Sequence, residues 1–247
     1  MPANRILILG GTRMARDLAA ALVRAGFDVI TSLAGVTDQP VLPEGAVRRG
    51  GFGGTDGLVR YIQETGIAAL VDATHPFAAQ MSAHAGEAAD RLGVPLLRLE
   101  RPAWERQAGD RWTFVTSAEE AAASLPCGAR AFVTIGRKEI GAFFARTDIR
   151  GVARMIEPRG LEVPDGWKVI LQRPPFSLGD EMSLITHHAI THVVAKNAGG
   201  AETEAKLLAA RQLGLPVILL ARPSKPAVQS FMSVEDTVGA LRIKLLP

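Results

Sequence analysis

Asp72, Thr74 and His75 fall within four residues, and Pro76 closes the run. A carboxylate, a hydroxyl and an imidazole this close together can hold a proton, donate one, or orient a polar ligand. Apolar residues 68–71 precede them, which places the group at the end of a predicted strand. Loops anchored on such a scaffold commonly carry function. Asp72, Ala73, Thr74, His75 and Pro76 are therefore expected to contact a cofactor, and His75 is the candidate for a polar contact near the reacting atoms. The same run also reads as a capped loop, with Thr74 closing a helix start and Pro76 in its first turn.

A second group is built on glycine. Gly10, Gly11, Thr12 and Arg13 follow the apolar run Arg5–Leu9 and open a stretch with helical spacing. Amides at a helix start have no partner within the helix, and the helix dipole adds positive charge there, so this turn suits a phosphate. It departs from G-x-G-x-x-G, since Thr12 and Ala15 occupy the second and third glycine places. Thr12 is expected to offer its hydroxyl. The next predicted strand ends in Thr31 and Ser32, with Gly35 beyond. A site for NAD usually presents a carboxylate here to the ribose hydroxyls. None stands at this strand end, and hydroxyls suit a phosphate better, which points to NADPH with Ser32 and Arg13 near its 2′-phosphate. Gly51, Phe52 and Gly53 lie in a run with four glycines among five residues. They are expected to let the backbone approach a flat ligand.

The cations of interest come later in the chain. Arg137 and Lys138 follow Thr134-Ile135-Gly136, and Lys196 and Asn197 precede Ala198-Gly199-Gly200. Ammonium and guanidinium groups at strand ends suit a substrate rich in carboxylates, which Arg can hold with two parallel hydrogen bonds. His187, His188 and His192 have no neighbouring cysteine, and no metal site is expected there.

The elements that must position these residues alternate. Strands are predicted at 5–9, 27–32, 68–72 and 95–99, with helices at 12–25, 54–65 and 77–92. In the second half, strands are predicted at 130–135, 151–156, 192–195 and 216–220, with helices at 137–146, 180–188, 201–213 and 234–244. A long irregular stretch runs up to residue 178 or so. Such alternation predicts an α/β fold with parallel sheets and right-handed crossovers. The chain also repeats itself, in that Leu92–Pro102 and Leu213–Pro223 share Leu, Gly, Pro, Leu, Arg and Pro at matching places. Each is followed by a serine and acids that suit a helix start, at Ser117 and Ser233. Two Rossmann-like domains are expected, 1–127 binding NADPH and 128–247 binding substrate, with a cleft between them.

Composition narrows the classes. The chain has 247 residues, 47% hydrophobic and 21% charged, which excludes a disordered segment. Aromatics make up only 5%, so aliphatic residues must fill the core, as in strands buried on both faces. The single cysteine, Cys127, excludes a disulfide within the chain. No apolar run reaches membrane-spanning length and the start lacks a signal pattern, so a cytoplasmic protein without membrane partners is expected. The net charge of +3 is scattered rather than clustered, which argues against nucleic acid. There is no G-x-x-x-x-G-K-[ST] and no G-x-S-x-G, the signatures of Walker ATPases and α/β-hydrolases.

Taken together, L-G-G-T at 9–12, T-S-L-A-G-V-T at 31–37, G-G-F-G-G at 50–54, D-A-T-H-P-F-A at 72–78, P-L-L-R-L-E-R-P at 95–102, T-I-G-R at 134–137 and K-N-A-G-G at 196–200 resemble the precorrin-6A reductase family. The likeness runs along essentially the whole chain. It implies hydride transfer from NADPH to a double bond of an anionic tetrapyrrole, giving precorrin-6B in cobalamin biosynthesis. It further implies two Rossmann-like domains, with the macrocycle's acetate and propionate groups held by Arg137, Lys138 and Lys196. On the residues alone, two other readings stay open: a non-redox nucleotide-sugar enzyme with twin Rossmann-like domains, and a two-lobed anion-binding protein.

Overall fold

A computed structural model describes residues 4–35, 41–158 and 160–245. Val36 and Thr37, the end of the 31–37 motif, lie outside the described residues. The chain begins β1 (Arg5–Leu9), α1 (Arg13–Arg24), β2 (Asp28–Leu33), β3 (Ala46–Arg49), α2 (Thr55–Thr65), β4 (Ala69–Asp72), α3 (Ala79–Leu92) and β5 (Leu96–Leu99). It continues β6 (Arg111–Val115), α4 (Ala118–Ala123), β7 (Arg130–Val133), α5 (Gly141–Phe144), β8 (Arg150–Met155), β9 (Trp167–Leu171) and α6 (Leu178–His187). It closes with β10 (His192–Lys196), a 3-10 turn (Ala201–Thr203), α7 (Ala205–Gln212), β11 (Pro216–Leu220), β12 (Gln229–Phe231) and α8 (Val234–Leu245).

These strands form two six-stranded sheets, ordered β12-β5-β4-β1-β2-β3 and β6-β11-β10-β7-β8-β9. Every pairing is parallel. From its β3 edge the first sheet runs 3-2-1-4-5 and then β12, the Rossmann order, and the second repeats that order from β9. The sixth strands are exchanged. β6 and α4 follow β5 in sequence yet belong to the second sheet, and β12 and α8 follow β11 yet belong to the first. Contacts accordingly divide the chain into one unit of residues up to Pro102 plus those from Pro223, and another of Ala103–Arg222. The domain boundary expected between 127 and 128 is corrected on this point: the chain passes between units twice, each time at the Arg-Pro that ends the repeated segment. The residue before a proline is confined to extended backbone, which suits a segment leaving one sheet for another.

Each unit has its own core. In the first, Ile6 and Ile8 of β1 pack with Leu18 and Leu22 of α1 and Leu241 of α8. On the opposite face Leu7 and Leu9 pack with Leu58 and Ile62 of α2 and with Ala85 and Ala88 of α3. Successive strand residues alternate faces, so the part of a strand covered on both sides must be apolar, as Ile6–Leu9 of β1 is. In the second unit Phe132, Val152, Val193 and Val217 from four adjacent strands meet Ile185 and Leu207.

Four strands lie where the sequence reading had none: β3, β6, β9 and β12. All four are sheet edges. Ser117 and Ser233 cap α4 and α8 as expected, accepting from the amides of Glu120 and Asp236 at 3.1 Å each. Thr74 does not cap α3, which begins at Ala79 after a short turn. Among the described residues no helix is long and apolar enough to cross a membrane.

Candidate functional site

The parallel register of the first sheet brings the expected cofactor residues to one level. Leu9 lies opposite both Ser32 and Asp72, so Gly10, the end of β2 and Ala73 all leave the sheet at its carboxyl edge. The order of strands reverses between β1 and β4, and ligands of such sheets bind in the crevice at that switch point. Gly10 is required by packing: a Cβ there would lie 2.8 Å from Thr31 Cγ2. Gly11 turns with φ of +113°, and a Cβ there would meet nothing within 4 Å, leaving open space in front of the α1 start.

Thr12 caps α1, its Oγ1 accepting from the Ala15 amide at 3.1 Å while donating to the Ala73 carbonyl at 2.9 Å. Its single hydroxyl proton thus ties β1 to β4, and Thr12 does not have it to offer a phosphate. The first turn of α1 contains no acid. Arg13 is exposed, with Asp17 at 3.7 Å one helical turn on. The contact expected of Thr31 is corrected for its side chain, which is 1% exposed and packed beneath Gly10 rather than presented at the strand end.

Ser32 is the better placed of the two hydroxyls, and its partner is a residue to which the sequence reading gave no role. Arg48, on the neighbouring edge strand β3, donates from Nη1 to Ser32 Oγ at 3.0 Å and to the Gly50 carbonyl at 2.9 Å. Its Nη2 donates to the Gly51 carbonyl at 3.0 Å, and its guanidinium lies 3.8 Å from the Phe52 ring centre. The glycine-rich run therefore folds back over a cation. Gly35, exposed with φ of +72°, abuts Gly50. Gly51 and Gly53 are exposed, and Phe52 is held edge-on against Tyr61. Gly57 makes this possible, because a Cβ there would strike the Phe52 carbonyl oxygen. The signal for Arg48 was the Arg48-Arg49 pair before the glycines, on a strand too exposed to be recognised.

Asp72 faces inward. Its carboxylate accepts from Thr74 Oγ1 at 2.7 Å, the Thr74 amide at 3.2 Å, Ser82 Oγ at 2.6 Å and Arg98 Nε at 3.2 Å. Burial pushes its pKa up, but the bonds from Ser82 and Thr74 and the charge of Lys225 outweigh that and leave it below the ordinary value. Asp72 and Thr74 thus hold the loop rather than a ligand, and Ala73 and Pro76 are buried with them. Arg98 Nη1 continues the network to the Pro226 carbonyl at 3.0 Å. His75 is the exposed member. Its Nδ1 accepts from the Phe77 amide at 3.2 Å, which places the proton of the neutral ring on Nε2.

In the second unit β7 and β10 are neighbours, so Arg137, Lys138 and Lys196 emerge at adjacent strand ends, as expected. Lys138 is exposed and Arg137 half-buried. Lys196, however, forms an ion pair with Glu139, which the sequence reading had not weighed. Asn197 is buried and structural: its Oδ1 accepts from the Trp104 amide at 2.8 Å and its Nδ2 donates to the Trp104 carbonyl at 3.2 Å. Its amide is thus engaged in fastening the segment that enters the second unit.

Two parallel sheets of Rossmann order, one with a glycine turn and a locked arginine at its carboxyl edge, define a doubled nucleotide-binding α/β protein. Residues 5–242 match the family described as Precorrin-6x reductase CbiJ/CobK, and the chain belongs to that family. A precorrin-6A reductase from Rhodobacter capsulatus is 46% identical over 241 residues, covering 96% of each chain. One from Rhodococcus erythropolis is 45% identical, again over 96% of each. A solved structure titled CobK precorrin-6A reductase superposes with a TM-score of 0.92 at 44% identity, covering 98% of this chain and 97% of that one. The nucleotide-sugar alternative is not favoured by these likenesses.

Proposed function

We propose that this protein reduces precorrin-6A, in cobalamin biosynthesis, with NADPH bound on the first unit. The observation that carries the cofactor assignment is Arg48, locked beside Ser32 at the strand end where an NAD site would present a carboxylate. The residues fit the group: the α1 start lacks acids and opens onto space beside Gly11, which suits a pyrophosphate. When bound, NADPH supplies a hydride from its nicotinamide ring.

The chain's own residues then bind and orient. Arg48 and Ser32 hold the 2′-phosphate, with Phe52 and the 50–53 backbone fixing the guanidinium in place. Asp72, through Thr74, sets the loop that carries the exposed His75, whose Nε2 is the ring nitrogen that can donate to a polar group of cofactor or substrate. Arg137 and Lys138 meet substrate carboxylates, with Lys196 contributing less because Glu139 offsets its charge. The greater likeness to relatives named for precorrin-6A than to one named for cobalt-precorrin-6A, from Priestia megaterium at 33% identity, supports the metal-free substrate. Anaerobic incubation with precorrin-6A and NADPH should consume one NADPH per macrocycle reduced. A cofactor left intact while the protein remains folded would refute the activity.

A further inference from the structure

At the amino ends of β7, β8 and β9, on the edge of the second sheet remote from Arg137 and Lys196, lies an open surface depression of about 280 Å³, with Arg150 and Lys168 exposed and Arg130 half-buried. Arg130, Arg150, Lys168 and His188 line it, with Trp167 and Val152. No acidic side chain is part of the lining.

The register explains why the cations converge. Arg130 lies directly opposite Arg150 on the adjacent strand, and Lys168 lies opposite Val152, two residues beyond Arg150. Partners in register share a face, and so do residues two apart on one strand, so all three cationic side chains leave the same face of the sheet. Among the described residues, the side chains of Arg130, Arg150 and Lys168 form no ion pair and no hydrogen bond. Like charges facing one another on neighbouring strands are destabilising. Elsewhere this protein pairs its arginines closely, as at Arg146 with Asp148 at 2.5 Å and Arg211 with Asp110 at 2.7 Å. The three here have a shared depression in place of a carboxylate.

We infer that this depression is an anion site, taking a compact polyanion that bears phosphate or carboxylate groups and bridges Arg130, Arg150 and Lys168. It lies at the amino edge of this sheet, opposite the carboxyl edge that carries Arg137, Lys138 and Lys196. Guanidinium pairs hold planar oxyanions by parallel hydrogen bonds, and Lys168 adds a point charge. His188, at the end of α6, closes one side; burial, with Lys168 and His187 nearby, lowers its pKa. It therefore offers a neutral ring that can donate or accept.

Isothermal titration of the full chain with inorganic pyrophosphate, and separately with citrate, tests this at constant ionic strength in the presence of saturating NADPH. The expected result is one saturable site for at least one probe. Its affinity should fall tenfold or more in Arg130→Ala and in Arg150→Ala and stay unchanged in Arg242→Ala, an exposed cation of the first unit. Tighter pyrophosphate would assign phosphate chemistry, and tighter citrate carboxylate chemistry. Without any anion, Arg150→Ala should melt no lower than the parent, because a repulsion has been removed. Absence of saturable binding to the folded parent, or equal binding by parent and Arg150→Ala, would overturn the proposal.

Discussion

At the scale of single residues, the residue types were legible and their partners were not. Ser32 was placed at the cofactor from a missing carboxylate. Its neighbour Arg48 lies sixteen residues on and reaches it only because β3 pairs with β2. Thr12 and Asp72 were read as ligands because they are polar and sit beside a turn. Their polarity serves the scaffold instead, since a hydroxyl or carboxylate buried at a strand end must find partners in the protein. Ser32→Asp should show the difference between a ligand and a support. The new carboxylate would pair with Arg48 and repel a 2′-phosphate. Affinity for NADPH should fall by about tenfold, ~1.4 kcal/mol, while affinity for NADH is retained. Equal weakening of both cofactors in titrations would move the phosphate away from Ser32.

At the scale of elements, the apolar strands β1, β4, β7 and β11 were plain from their runs, because both faces are covered and no polar residue interrupts them. The four edge strands were not, because one flank meets solvent and sequences such as Ala46–Arg49 or Gln229–Phe231 carry no apolar run. The network around Asp72 joins β4, β5 and α3 through Arg98 and Ser82, both buried. Removing the carboxylate by Asp72→Ala leaves Arg98 charged and unpaired in the interior, a loss of about 3–5 kcal/mol. The acid behaviour follows from the sign of the shift. A carboxyl whose folded pKa lies below its unfolded value, about 3.9, stabilises fully above that value and loses the contribution as pH falls through the folded one. The parent should therefore lose melting temperature as pH falls below about 4 more steeply than Asp72→Asn does, although the variant melts lower at neutral pH. Parallel acid profiles for the two proteins would show that Asp72 is not held ionised.

For the whole molecule, the repeat in sequence was visible and its consequence was not. Matching segments at Leu92–Pro102 and Leu213–Pro223 suggested a division into halves. Sequence likeness cannot reveal that each repeat gives its last strand and helix to the other's sheet. The exchange makes the carboxyl-terminal residues part of the first unit. Leu241, fully buried against the α1 face, is the clearest case. Leu241→Ala should cost about 2–5 kcal/mol. Amide exchange should rise in β1, α1 and β4 and remain low in β7 and β10. Faster exchange confined to the second unit would contradict the exchange of strands.

The most direct measurement is the pair of dissociation constants for NADPH and NADH, taken for the parent and for Arg48→Ala. The parent should prefer NADPH by tenfold or more, and the variant should lose most of that preference by weakening NADPH alone. A parent that binds both cofactors equally, or a variant that weakens both by the same factor, would contradict the assignment of Arg48 and Ser32 to the 2′-phosphate.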